Sequence, residues 1–187
     1  MSSMQPQSAS KQPLTQSLDK NWQQYIDTRE AITPEARDQI MNSLRAEIAA
    51  SGSRILSEQW HGEKVVPGSY FGPEIDISHP NIAFEITVEM LLNPNEPRPR
   101  FHLEAHLKTQ ELFEGPTSSE YTSRIEFVTK AVEQINVLRR SASPEEFVVD
   151  DLCMVHGDGK FGYRFSLASV KGPSDVKKLL GLLDVIK

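Results

Sequence analysis

Two runs of alternating residues, joined by a segment that no regular element can carry, constrain this chain more than any other feature. In "IAFEITVEMLL" the residues Ile82, Phe84, Ile86, Val88 and Met90 alternate with Glu85, Thr87 and Glu89. Successive side chains of a strand point to opposite faces, so the run reads as a half-buried strand with one dry side and one wet side. The connection "NPNEPRPR" follows, with three prolines. Proline lacks the N–H that a central ladder needs, so the chain turns there and the next run returns as an antiparallel neighbour. That run, "RFHLEAHLKTQ", puts Phe101, Leu103, Ala105 and Leu107 on one face and His102, Glu104, His106 and Lys108 on the other. Its Leu, Glu, Ala, Lys and Gln are good helix formers, yet as a helix its apolar residues would not gather into one stripe.

The paired histidines raise the question of a metal. At ~3.3 Å per residue, His102 and His106 on a strand stand ~13 Å apart, too far to share an ion held by bonds of ~2.1 Å. On a helix they would share a face, but the metalloprotease motif needs Glu directly after the first His, and Leu103 stands there. A set built from His102 or His106 with Glu104 and a cross-strand Glu85 or Glu89 stays open, because opposed side chains lie ~5 Å apart. It would make the chain a metal-dependent hydrolase. The plainer reading is a solvated face on which His and Glu pair across strands and hold the register. The third is a polar face that grips a partner.

The remaining segments supply the layers around this pair of strands. Residues 1–13, "MSSMQPQSASKQP", have almost nothing to bury and read as a flexible tail. Leu14, Leu18, Trp22, Tyr25 and Ile26 then recur at spacings of three and four, the stripe of a short amphipathic helix. Residues 1–30 are thus expected as a tail with a helix, and 31–187 as a single domain. In "TPEARDQIMNSLRAEIAASG", Thr33 is placed as N-cap, Pro34 opens a helix and Gly52 stops it, with Ala36, Ile40, Leu44 and Ile48 inward. "SRILSEQW" changes the period to two, and Pro67, Gly68, Gly72 and Pro73 mark a loop with room for a short strand.

"SSEYTSRIEFVTKAVEQINVLRR" reads as a long helix capped by Ser118 or Ser119, with Tyr121, Ile125, Val128, Val132 and Ile135 on its buried side. Arg139 and Arg140 suit its negative end. A second hairpin is expected in "EEFVVDDLCMVHGDGKFGYRFSLAS", turning at Gly157, Asp158 and Gly159. In "GPSDVKKLLGLLDVIK", Pro173 opens a helix whose stripe of Val176, Leu179, Leu180, Leu183 and Ile186 closes a core or a homodimer seam. The order predicts an α+β fold: a curved antiparallel sheet of about five strands backed by helices, with a flexible N-terminal tail and amphipathic terminal helices. In element order alone, this acidic layout resembles the secretion chaperones that bind bacterial effector proteins, and the resemblance transfers no site residue.

Composition and motifs exclude several function classes. Lys and Arg number 20 against 26 Asp and Glu, a formal charge of -6, which disfavours nucleic acid as a partner. The single cysteine, Cys153, cannot form an internal disulfide, and its apolar neighbours suit a protonated, inert thiol. With neither a signal peptide nor a long apolar run, the chain is expected in the cytoplasm, with no membrane contact. "GDGK" lacks the spacing and the following helix of a phosphate loop, and Asp150 and Asp151 lack the spaced oxygens of a calcium loop. Phe84, Phe101, Tyr163 and Phe165 would line a small-ligand pocket between sheet and helices, or else fill the core.

No convergent acid, base and nucleophile emerges, so an enzyme is the less favoured class, and no catalytic, cofactor or metal residue is assigned. The leading expectation is a non-catalytic binding module, an adaptor, chaperone or inhibitor, holding another protein by its sheet face and N-terminal helix. The contact residues would be Leu14, Leu18, Trp22, Tyr25 and Ile26 with Glu85, Glu89, His102, Glu104 and His106.

Overall fold

The computed structural model describes residues 14–95, 99–106, 118–155 and 160–186. The expected tail, the turn at Gly157 to Gly159, and the side chains of Leu14, Ala105, His106, Tyr121, Cys153 and Tyr163 lie outside the described part, as do Leu107 and Lys108. The described strands are β1 (Arg54–His61), β2 (Gly72–Ser78), β3 (Glu85–Glu89), β4 (Arg100–His106), β5 (Phe147–Val155) and β6 (Lys160–Leu167). They form one open six-stranded sheet in the order β1-β2-β3-β4-β6-β5, antiparallel at every pairing. The described helices are α1 (Leu14–Thr28), α2 (Pro34–Ala50), α3 (Ser118–Ser141) and α4 (Val176–Leu183), the last led in by a 3-10 turn at Pro173–Asp175. The fold is α+β, as the element order predicts, and none of the described helices is long and apolar enough to cross a membrane.

β2 accounts for the strand beyond the expected five. Its opening Gly72-Pro73 has the composition of a loop, but both residues serve the sheet. Gly72 sits at φ +131, and a Cβ there would stand 2.2 Å from the Met90 carbonyl oxygen. That close approach lets Met90 N–H donate to the Pro73 carbonyl at 2.9 Å, continuing the pairing where proline has no N–H to give.

Alternation sorts the strands into two faces. Ile75 and Ile77 of β2, Ile86 and Val88 of β3, Phe101 and Leu103 of β4, and Phe165 and Leu167 of β6 are buried in one core. The helices complete it. Thr33 caps α2 by accepting the Ala36 N–H at 3.1 Å, and Ile40, Met41, Leu44 and Ile48 line its inner side. α2 is fastened to β1 by Arg45, whose Nε donates to Glu58 Oε2 at 2.9 Å while Nη2 meets Oε1. That two-point contact holds the Glu58 carboxyl below its usual range.

Trp22 of α1 is buried, stacked on Phe71 with ring centroids 5.7 Å apart, and Trp60 meets the same ring edge-on at 5.6 Å. Leu18, Tyr25 and Ile26 pack against this cluster, so α1 shares its core with the rest of the chain. Asp19 of α1 accepts the Ser174 N–H at 3.0 Å and the Ser174 hydroxyl, tying the first helix to the last. A Cβ at Gly172 would meet Asp19 Oδ1 at 2.6 Å, so the clasp requires glycine there. The stripe of Val176, Leu179, Leu180, Leu183 and Ile186 is buried within the single chain.

The face of α3 differs from expectation. Its buried residues are Ala131, Gln134, Ile135 and Leu138, whereas Val128 and Val132 are half-buried and Ile125 is 49% exposed. The cause is Gln134, whose amide accepts the Ala83 N–H at 2.8 Å and donates to the Asn81 carbonyl at 2.6 Å. Those two bonds fix the loop before β3 and turn a polar residue inward.

Candidate functional site

The sheet face opposite the core is a polar ladder. The buried residues of all four described helices join the core on the other side, and the register sets the polar side chains in rows across the strands. In one row Asp76 of β2 stands between Ser57 of β1 and Thr87 of β3, and His102 of β4 stands between Thr87 and Arg164 of β6. Both Asp76 oxygens accept hydroxyl protons at 2.7 Å, one from Ser57 and one from Thr87. In the next row Glu74 opposes Glu89, Glu89 opposes Arg100, and Arg100 opposes Ser166.

Two carboxylates side by side would repel unless each had a partner. His61 Nε2 lies 2.8 Å from Glu74 Oε2 in a hydrogen bond, and His102 Nε2 lies 2.9 Å from Glu89 Oε2. The second contact is an ion-pair distance set off the line of a hydrogen bond, so His102 Nε2 is buried without one.

These rows enclose a hollow of about 210 Å³. Glu74 and His61, Glu89, Arg100, His102 and Arg164 line it together with Tyr70, Leu91 and Asn93. Arg164 Nε is buried and has no hydrogen-bond partner among the described residues. An unmet buried polar group costs about 1–3 kcal/mol, more when charged.

Of the contact residues expected from sequence, the structure brings Glu89 and His102 together in this hollow. Glu85 and Glu104 stand opposite one another one step along the ladder, and neither is without a partner. The side chain of His106 lies outside the described part. The α1 residues sit apart from the ladder, with Trp22 in the core. Of the aromatics considered as pocket lining, Phe84, Phe101 and Phe165 are buried core residues. Among the described residues no three His, Cys, Asp or Glu side chains converge as a metal set, and the described lining of the hollow holds no serine, threonine or cysteine nucleophile.

Sequence reasoning missed His61, Glu74, Arg100 and Arg164. The alternation that places His102 on the wet face also places Arg100 there, and the acids of "GPEIDIS" alternate with isoleucines in the same way. His61 and Arg164 carry no local signal, because only the strand order brings them to the hollow. No protein-family model, curated protein or solved structure matches the chain.

Proposed function

We infer that the chain is a non-catalytic protein-binding module of the adaptor, chaperone or inhibitor kind, holding a partner against the polar face of its sheet. The observation that carries this reading is the ladder itself. Acids and bases from β2, β3, β4 and β6 are set in register on one face, while the helices back the other. Side chains already fixed by cross-strand pairs lose little freedom when a partner arrives, and their mixed charges favour a complementary partner over others.

The test compares two isosteric pairs of substitutions in co-purification and titration with the captured partner. Glu89→Gln with Glu104→Gln should weaken binding about tenfold or more, a difference of about 1.4 kcal/mol. Glu126→Gln with Glu133→Gln on α3 should leave it unchanged. The reverse pattern, or equal binding by both, would refute the sheet face as the docking surface.

A further inference from the structure

β5 ends the six-stranded sheet, and among the described residues no strand pairs with its outer edge. The Glu146 C=O accepts the Ala168 N–H at 2.8 Å, so by the alternation of an antiparallel ladder the Phe147 C=O and the Val149 N–H point away from β6. The pairing is regular from Phe147 to Asp150. An edge of this kind is a template for another strand. β1, the opposite edge, is bulged between Ile55 and Ser57 and fastened to α2 through Arg45, which makes it the poorer template.

Beside the β5 edge lies another hollow, of about 530 Å³, between the start of β5, the end of β6 and α4. Its accessible apolar surface comes from half-buried Phe147 and from Val185, which is 41% exposed. Gly181 of α4 also lines it, and a Cβ there would meet nothing within 4 Å. Glycine is a poor residue for a helix interior. Gly52, Gly62, Gly68 and Gly72 have positive φ, and Gly172 is closed in by Asp19, but Gly181 has neither reason. It keeps the helix surface low on the side of the hollow, where another chain can approach closely.

Charge selects the occupant. Glu145 and Glu146 are exposed at the hollow and neither has an ion-pair partner among the described residues, whereas Lys178 Nζ lies 3.4 Å from Asp175 Oδ1. The charge left unpaired is negative. We propose that an extended segment of a partner protein adds a strand to β5 here. An aliphatic side chain of that segment enters the hollow beside Gly181, and the side chain two residues away, on the same face, is basic and meets Glu145 and Glu146. The site is separate from the polar sheet face and stands whether or not that face binds.

The test follows the backbone amide resonances of the isotope-labelled full chain as a terminally blocked heptapeptide is added at constant ionic strength. The peptide is built of threonines, with a central leucine and a lysine two residues on. Saturable shifts should gather at Phe147, Gly181, Leu182 and Val185. Glutamate in place of the lysine should weaken binding about tenfold or more, and so should Glu145→Gln with Glu146→Gln in the protein. N-methylation of alternate peptide nitrogens should abolish binding in one phase and spare it in the other, as a strand paired along one edge requires. Gly181→Leu, which fills open space, should abolish binding without earlier melting; Gly181→Ala, which should weaken it, stands in if the Leu variant does not fold. Absence of a saturable shift at millimolar peptide, unchanged binding in the Gly181 variants, or indifference to the phase of N-methylation would overturn the proposal. The same shifts arising without peptide as the chain is concentrated would assign the hollow to a second copy, and would also overturn it.

Discussion

Burial lowers the pKa of His79, because its ring is 4% exposed and the charged form would lose its water. Asp184 opposes the shift from 3.7 Å, beyond hydrogen-bond reach. Nδ1 accepts the Asn81 N–H at 3.3 Å, which leaves the proton on Nε2. With the folded value below the ordinary 6.5, the unfolded chain binds more protons across the interval between them, so stability rises with pH there. The contribution is intact above 6.5 and is lost as pH falls through the lowered folded value. Melting measured between about pH 7.5 and 5.5 should therefore drop further in the parent chain than in His79→Gln, and equal slopes would contradict the assignment. Trp22 makes a second residue-scale test. Stacked on Phe71 in the core, it should cost about 3–5 kcal/mol when cut to Ala, seen as earlier melting. A variant that melts with the parent and loses only a partner would mean that the helix docks outward. The stripe of α1 was legible in the sequence, but its direction was not, since periodicity shows which residues share a face and not what that face covers.

At the scale of elements, the alternating strands and the terminal helix were the most legible, because their apolar residues are large and regularly spaced. Phe101 and Leu103 face the core as the spacing of "RFHLEAHLK" requires, and so do the leucines of α4. α3 was misread because its inward face holds a small residue, Ala131, and a polar one, Gln134, which a search for apolar periodicity passes over. β2 was under-read because Gly72 and Pro73 are loop formers in isolation; only the approach of Met90, the residue after β3, explains them. α4 also carries the question of a homodimer seam. Since Leu180 is 2% exposed within one chain, Leu180→Ala should destabilise the fold by about 2–5 kcal/mol. Its melting point should not depend on protein concentration, as it would if the stripe closed a dimer. A concentration-dependent transition would return the helix to an interface.

For the whole molecule, the two-sidedness of the sheet is the central feature: one face filled by helices, the other an ordered ladder of charge. That division was readable from alternation alone, down to the glutamates and histidine on the wet side. The hollow was not, because His61, Glu74, Arg100 and Arg164 come from four strands whose order β1-β2-β3-β4-β6-β5 no local pattern encodes. Glu89 and His102 were found because they lie on the two strands whose pairing the proline connection implied. If the ladder is the docking surface, its carboxylates must lose access to solvent when the partner binds. Carbodiimide labelling of carboxylates, read residue by residue with and without the partner, tests this most directly. The account predicts that Glu85, Glu89 and Glu104 are protected in the complex while Glu126 and Glu133 on α3 label as before; protection of the α3 glutamates with the ladder still reactive would contradict it.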